Sequence, residues 1–105
     1  QNDLALKAYR KVLELDSRHT EAQNNIGVIF WNLKLLNQAE TAFRKALEME
    51  DKVTIHNNLA NLYIAQKRFR KAISHLKTVI KKTPNDVRAR KLLSIIEVIQ
   101  TIPNK

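Results

Sequence analysis

Apolar side chains recur along this chain at three- and four-residue steps, interrupted five times by short polar or turn-forming links. That period gathers them on one face of an α-helix. Leu4, Ala5, Ala8, Tyr9, Val12 and Leu15 predict a first helix over residues 3–16, closed by Asp16-Ser17. Ala22, Ile26, Gly27, Ile29, Phe30 and Leu33 predict a second, from Thr20 to about residue 33. A third, over residues 38–50, turns Ala39, Ala42, Phe43, Ala46 and Leu47 inward, and helices at about 53–66 and 70–82 follow. Pro84 cannot continue a helix, and Asp86 can cap a last one over residues 87–102. The fold class is therefore all-α. Six helices on links of two to five residues must lie mostly antiparallel to their neighbours.

Two helix starts have capping-box spacing, Thr20-x-x-Gln23 and Asn37-x-x-Glu40. Gly27 costs about 1 kcal/mol inside a helix relative to alanine. Its place beside bulky neighbours predicts the close approach of another helix.

The pattern also repeats. Asn24-Asn25-Ile26-Gly27, with Phe30 after it, is echoed by Asn57-Asn58-Leu59-Ala60, with Tyr63 after it. Ala5…Tyr9…Val12…Ser17, Ala39…Phe43…Ala46…Asp51 and Ala72…Leu76…Val79…Pro84 share a second spacing and recur at the same period. A fixed period of about 34 residues is the mark of a solenoid. In period and spacing the chain resembles the tetratricopeptide repeat family, whose pattern is W-x2-L-G-x2-Y…A-x3-F…P. The leading tryptophan is absent, with Gln23 and His56 in its place, and the turn proline survives only at Pro84.

The resemblance implies a right-handed superhelix of antiparallel helix pairs, first helices lining a concave groove and second helices forming the back. It divides a single domain over residues 1–105 into a half repeat at 3–17, repeats at 18–52 and 53–86, and a closing helix at 87–102. The chain opens on Gln1 inside a half repeat, and so reads as a piece of a longer protein.

The resemblance also implies which side chains face the groove. These are Glu21, Asn24, Asn25, Val28, Trp31 and Asn32 on one helix, and Thr54, Asn57, Asn58, Asn61, Ile64 and Ala65 on the next. On the last they are Arg88, Lys91, Ile95, Val98 and Ile99. Asparagine offers both donors and an acceptor, so a row of them can bond the backbone of an extended peptide. Asn25 and Asn58 can equally be consensus residues that bond neighbouring helices. Trp31 is either a groove anchor or, the favoured reading, a cover for the turn at Leu35-Leu36. The implied partner is a protein or peptide. Chaperone-tail receptors of this family need asparagine and arginine where Val28 and Leu92 stand, so such tails are not expected to bind here.

Composition narrows the rest. A hydrophobic content of 44% permits a core, and a single glycine with two prolines fits a mostly helical chain. The chain has no cysteine, which excludes disulfides and thiolate metal sites. No apolar run nears the roughly 20 residues a membrane span needs, and with no signal segment a cytoplasmic setting is favoured. The formal net charge of +9 is concentrated at one end. Residues 1–66 hold eight basic and eight acidic side chains, whereas residues 67–91 hold ten basic ones against Asp86 alone. This stretch suits an acidic partner or plain solvation. Only Phe69 is interleaved with the charge, so nucleic acid is not favoured.

His19, His56 and His75 lack ligand partners at helical spacing, and no nucleophile–base pair stands out. The expectation is no enzyme, no metal and no cofactor. Two alternatives to a peptide-holding scaffold stay open: a spacer in a longer solenoid that binds nothing, and an electrostatic binder acting through residues 67–91. Leu92, Leu93, Ile95, Ile96, Val98, Ile99 and Ile102 spread too widely for one buried stripe. Leu93 and Ile96 are expected to pack back on the preceding repeat. Ile95, Val98 and Ile102 are left as an interface for self-association through the terminal helices or for another part of the parent protein.

Overall fold

A computed structural model describes residues 1–103. Six helices follow one another: α1 (Asn2–Leu15), α2 (Thr20–Asn32), α3 (Leu36–Met49), α4 (Val53–Ala65), α5 (Phe69–Lys82) and α6 (Val87–Thr101). There is no strand among the described residues. The fold is an all-α helical repeat. Contacts divide it into two compact units, Gln1–Ile55 and His56–Lys105, so that α4 starts in the first unit and runs mostly in the second.

In the first unit α2 and α3 form the tightest pair. Ala39, Ala42, Phe43 and Ala46 lie at the i, i+3, i+4 and i+7 positions of α3 and are all buried, as are Ala22, Ile26 and Ile29 on α2. Gly27 sits where the two helices meet. A Cβ built there would lie 2.5 Å from both Cδ1 and Cε1 of Phe43, so only a hydrogen fits. α1 packs on α2, but no residue of it is fully buried. Its covered side is Ala5, Leu6, Tyr9, Val12 and Leu13. Leu4 and Leu15, which the periodicity places on that side, are 70% and 81% exposed. With α2 as its neighbour, α1 has only a narrow stripe to bury. Leu33 is exposed as well, because it is the C-cap of α2 rather than part of its packed face.

The helix ends depart from the capping expectations at two of three places. α2 is capped by His19, whose Nδ1 accepts the Ala22 N–H at 3.1 Å. Thr20 is already inside the helix and buried, and the Gln23 amide turns away to donate to the Ala42 carbonyl. α3 begins at Leu36, one residue before the expected cap. Asn37 is thus helical, and Glu40 pairs with Arg44 at 3.7 Å. Asp86 does cap α6, accepting the Ala89 N–H at 2.9 Å.

The turns inside the two repeats are the same motif. Leu35 N–H bonds to Phe30 O and Lys34 N–H to Trp31 O, both at 2.9 Å. Arg68 N–H to Tyr63 O (2.8 Å) and Lys67 N–H to Ile64 O (2.9 Å) reproduce the pair in the next repeat. This 6→1 and 5→2 pattern is a Schellman motif, which needs a left-handed residue and usually takes glycine. Lysine fills it both times, with φ 63° at Lys34 and 59° at Lys67. The left-handed region costs an L-residue about 1–2 kcal/mol, and the greater chain entropy of unfolded glycine offsets part of that. Lys34→Gly and Lys67→Gly should each stabilise the chain, by about 0.5–1 kcal/mol. Urea unfolding checks this, and a loss of stability in both variants would count against it.

The second unit is built on Leu59, Ala60, Leu62 and Tyr63 of α4 and Ala72, Leu76 and Val79 of α5, all buried. α6 packs on α5 and sinks only Ala89 and Ile96 fully. Leu93, expected beside Ile96, is half-buried.

Candidate functional site

The first-helix positions implied by the resemblance fall into two groups, one in each unit. In the first unit Asn24, Asn25, Val28 and Trp31 are half-buried along α2. Asn24 and Asn25 come together with Thr20, Glu21, Lys52 and Thr54 around a recess of about 230 Å³. Val28 and Trp31 are not part of its wall.

In the second unit Asn57, Asn58, Asn61 and Ile64 are half-buried on α4. Arg88 of α6 donates through Nη2 to Oδ1 of Asn61 at 2.7 Å, on the surface, which draws the α4 and α6 faces together. Beyond Arg88, the residues Lys91, Ile95, Val98 and Ile99 follow at helical spacing on one side of α6, and Ile102 is its C-cap. Ile95 is 55% exposed, and Val98 and Ile102 each 61%. This face is therefore cationic at one end and aliphatic at the other. One atom nearby is out of balance. Oδ1 of Asn57 is buried and has no hydrogen-bond partner among the described residues.

The basic stretch is partly committed to the fold. Arg68 lies over the Tyr63 ring at 4.7 Å, with Lys71 at 5.5 Å. Arg68 also donates to Gln66 Oε1, and Arg90 to Pro84 O at 2.7 Å. Lys67 serves the turn. Lys77 and Lys81 remain exposed on α5.

Sequence reasoning missed one pairing. His56 of α4 and His75 of α5, which helical spacing within one helix could not connect, meet with their Nδ1 atoms 2.9 Å apart. A hydrogen bond of that kind needs one Nδ1 to donate and the other to accept. The His75 ring also stacks on Tyr63, centroids 5.6 Å apart. The signal lay in the repeat: His56–His75 and the bonded Gln23–Ala42 pair have the same separation along the chain. Each joins the absent-tryptophan position of a first helix to one position of the second helix. Among the described residues no group of three or more His, Cys, Asp or Glu could hold a metal ion. No helix among them is long and apolar enough to cross a membrane.

The sequence pattern of the tetratricopeptide repeat family matches residues 34–96, and a second form of it matches residues 1–52. The chain belongs to the tetratricopeptide repeat family. It is 29% identical over 92 residues to RNA polymerase-associated protein CTR9 of Saccharomyces cerevisiae, covering 88% of this chain and 8% of that protein. It thus spans only a small part of that relative's length. Among solved structures it is similar to the first tetratricopeptide module of Spaghetti (RPAP3), bound there to the HSP90 peptide SRMEEVD. The TM-score is 0.87 at 19% identity, over 96% of this chain and 83% of that one. It is also similar to YrrB, a tetratricopeptide protein with an unusual peptide-binding site, with a TM-score of 0.81 at 24% identity. That match covers 90% of this chain and 50% of YrrB. Likeness at these identities is likeness of fold.

Proposed function

We propose that this tetratricopeptide chain is a protein-interaction module that holds a peptide segment or helix of another protein against the exposed faces of its first helices. The mechanism is shape and hydrogen bonding on a preformed helical frame, with no covalent chemistry. One observation carries the reading. In the second unit the half-buried asparagines of α4, the Asn61–Arg88 bond and the exposed Ile95 and Val98 form one mixed polar and aliphatic face. A face that met only water would have no reason to expose three or four aliphatic side chains in line. The peptide-bound Spaghetti module and YrrB's peptide-binding site support the same reading from the side of the fold.

A peptide selected against the chain from a display library tests it. Changing Asn58 and Asn61 together to alanine should weaken that peptide by about 30-fold, on the basis of about 1 kcal/mol per lost hydrogen bond. Helicity by circular dichroism should stay unchanged. Unaltered affinity in the double variant would retire the asparagine faces as the site. SRMEEVD serves as the control and should not bind in the micromolar range, because Val28 and Leu92 replace polar residues of the carboxylate clamp. Micromolar binding lost on amidating its C-terminus would overturn that part.

A further inference from the structure

The first unit contains a second concavity, on a different side of α2 from the asparagines. It is a cleft of about 420 Å³ between α1, α2 and α3. Its apolar lining comes from Leu13, Ile26, Phe30 and Ala42, and its two charged residues are Arg10 and Lys45. No carboxylate lines it. Both cations are exposed. Neither makes a hydrogen bond or ion pair through its side chain among the described residues. None of Asn24, Asn25 or Thr54, which border the smaller recess, belongs to this wall.

The wall departs from the repeat pattern at Gln23. The family pattern puts tryptophan where Gln23 stands. Gln23 folds back to bond the Ala42 carbonyl at 3.4 Å. In the second unit the matching positions carry His56 and His75, whose Nδ1 atoms meet at 2.9 Å.

We infer that this cleft is a docking site for a protein partner that inserts a bulky apolar side chain flanked by acidic residues. The apolar floor suits leucine or phenylalanine side chains by polarity, and a cleft of about 420 Å³ has room for both. Unpaired Arg10 and Lys45 at the rim select carboxylates beside it and disfavour a basic neighbour, since like charges brought together there would be partly desolvated. This site does not depend on the asparagine faces, and either can fail without the other.

The test is a titration of the isotope-labelled chain, followed by amide chemical shifts, with acetyl-EDLFED-amide as the probe. Saturable shifts are expected at Gln23, Thr41 and Ala42. Acetyl-EDGSED-amide, without the apolar pair, and acetyl-KKLFKK-amide, with the charge inverted, should each bind at least tenfold more weakly. Ala42→His, which puts a bulky polar ring on the cleft wall, should weaken the first probe at least tenfold. Arg10→Glu with Lys45→Glu, both on the surface, should do the same with helicity unchanged. Absence of saturable shifts at these residues up to millimolar probe would overturn the inference. So would equal binding of the basic peptide, or retained affinity in both variants. Shifts confined to Asn57, Asn58 and Asn61 would reject the cleft while leaving the asparagine face standing.

Discussion

Gly27→Ala should destabilise the first unit by about 2–3 kcal/mol, although the change improves helix propensity by about 1 kcal/mol. The added methyl carbon would fall 2.5 Å from two carbons of the Phe43 ring, far inside van der Waals contact. That ring is 2% exposed, on the α3 side that also buries Ala39, Ala42 and Ala46, so it cannot swing into solvent without uncovering the α2–α3 core. Overpacking of a filled core typically costs about 1–3 kcal/mol, sometimes more, and a rigid aromatic edge at this distance belongs to the upper end. The second repeat supplies the remedy. Its matching residues are Ala60 and Leu76, both fully buried, so one extra methyl on the first helix is met by a smaller side chain on the second. Phe43→Leu should therefore rescue Gly27→Ala, with a coupling of at least about 1 kcal/mol in a double-mutant cycle. Urea unfolding of the four proteins measures it. A Gly27→Ala chain as stable as the parent would show that α2 and α3 do not approach as closely as described.

Ile96→Ala should release α6 from the second unit while leaving the rest folded. α6 is held by few groups. Ala89 and Ile96 are its fully buried residues, Asp86 caps it, and Arg88 reaches Asn61. Large-to-small changes of a buried isoleucine cost about 2–5 kcal/mol, which is most of what a helix anchored at two points can have. Amide hydrogen exchange should therefore quicken through Val87–Thr101, with Thr20–Met49 unaffected. Ile95→Ala, one position away but 55% exposed, should change stability by less than about 0.5 kcal/mol. Because α6 carries Arg88, Lys91 and Ile95, the Ile96→Ala chain should also lose the peptide selected on the parent. Unchanged protection of α6 in that variant would mean that its attachment lies elsewhere.

The sequence by itself determined the six helices, their order and the period that makes the chain a tetratricopeptide repeat. Those features rest on local spacing: apolar residues at three- and four-residue steps define a helix face, and the echo of that face one period later defines a unit, without reference to distant contacts. It also marked Gly27 as a point of close approach and Asp86 as a cap, because each acts on its own helix or the nearest neighbour. Tertiary structure alone decided the rest. Which face of α1 is covered depends on what lies against it, so Leu4 and Leu15 are exposed despite their place in the pattern. The start of α2 went to His19 instead of Thr20 because Gln23, the other half of the expected box, found the Ala42 carbonyl on α3. His56 and His75 have no relation along one helix and meet only because α5 folds back on α4. The cleft walled by Arg10, Ile26, Phe30 and Lys45 likewise draws on three helices, and no periodicity within one helix records it.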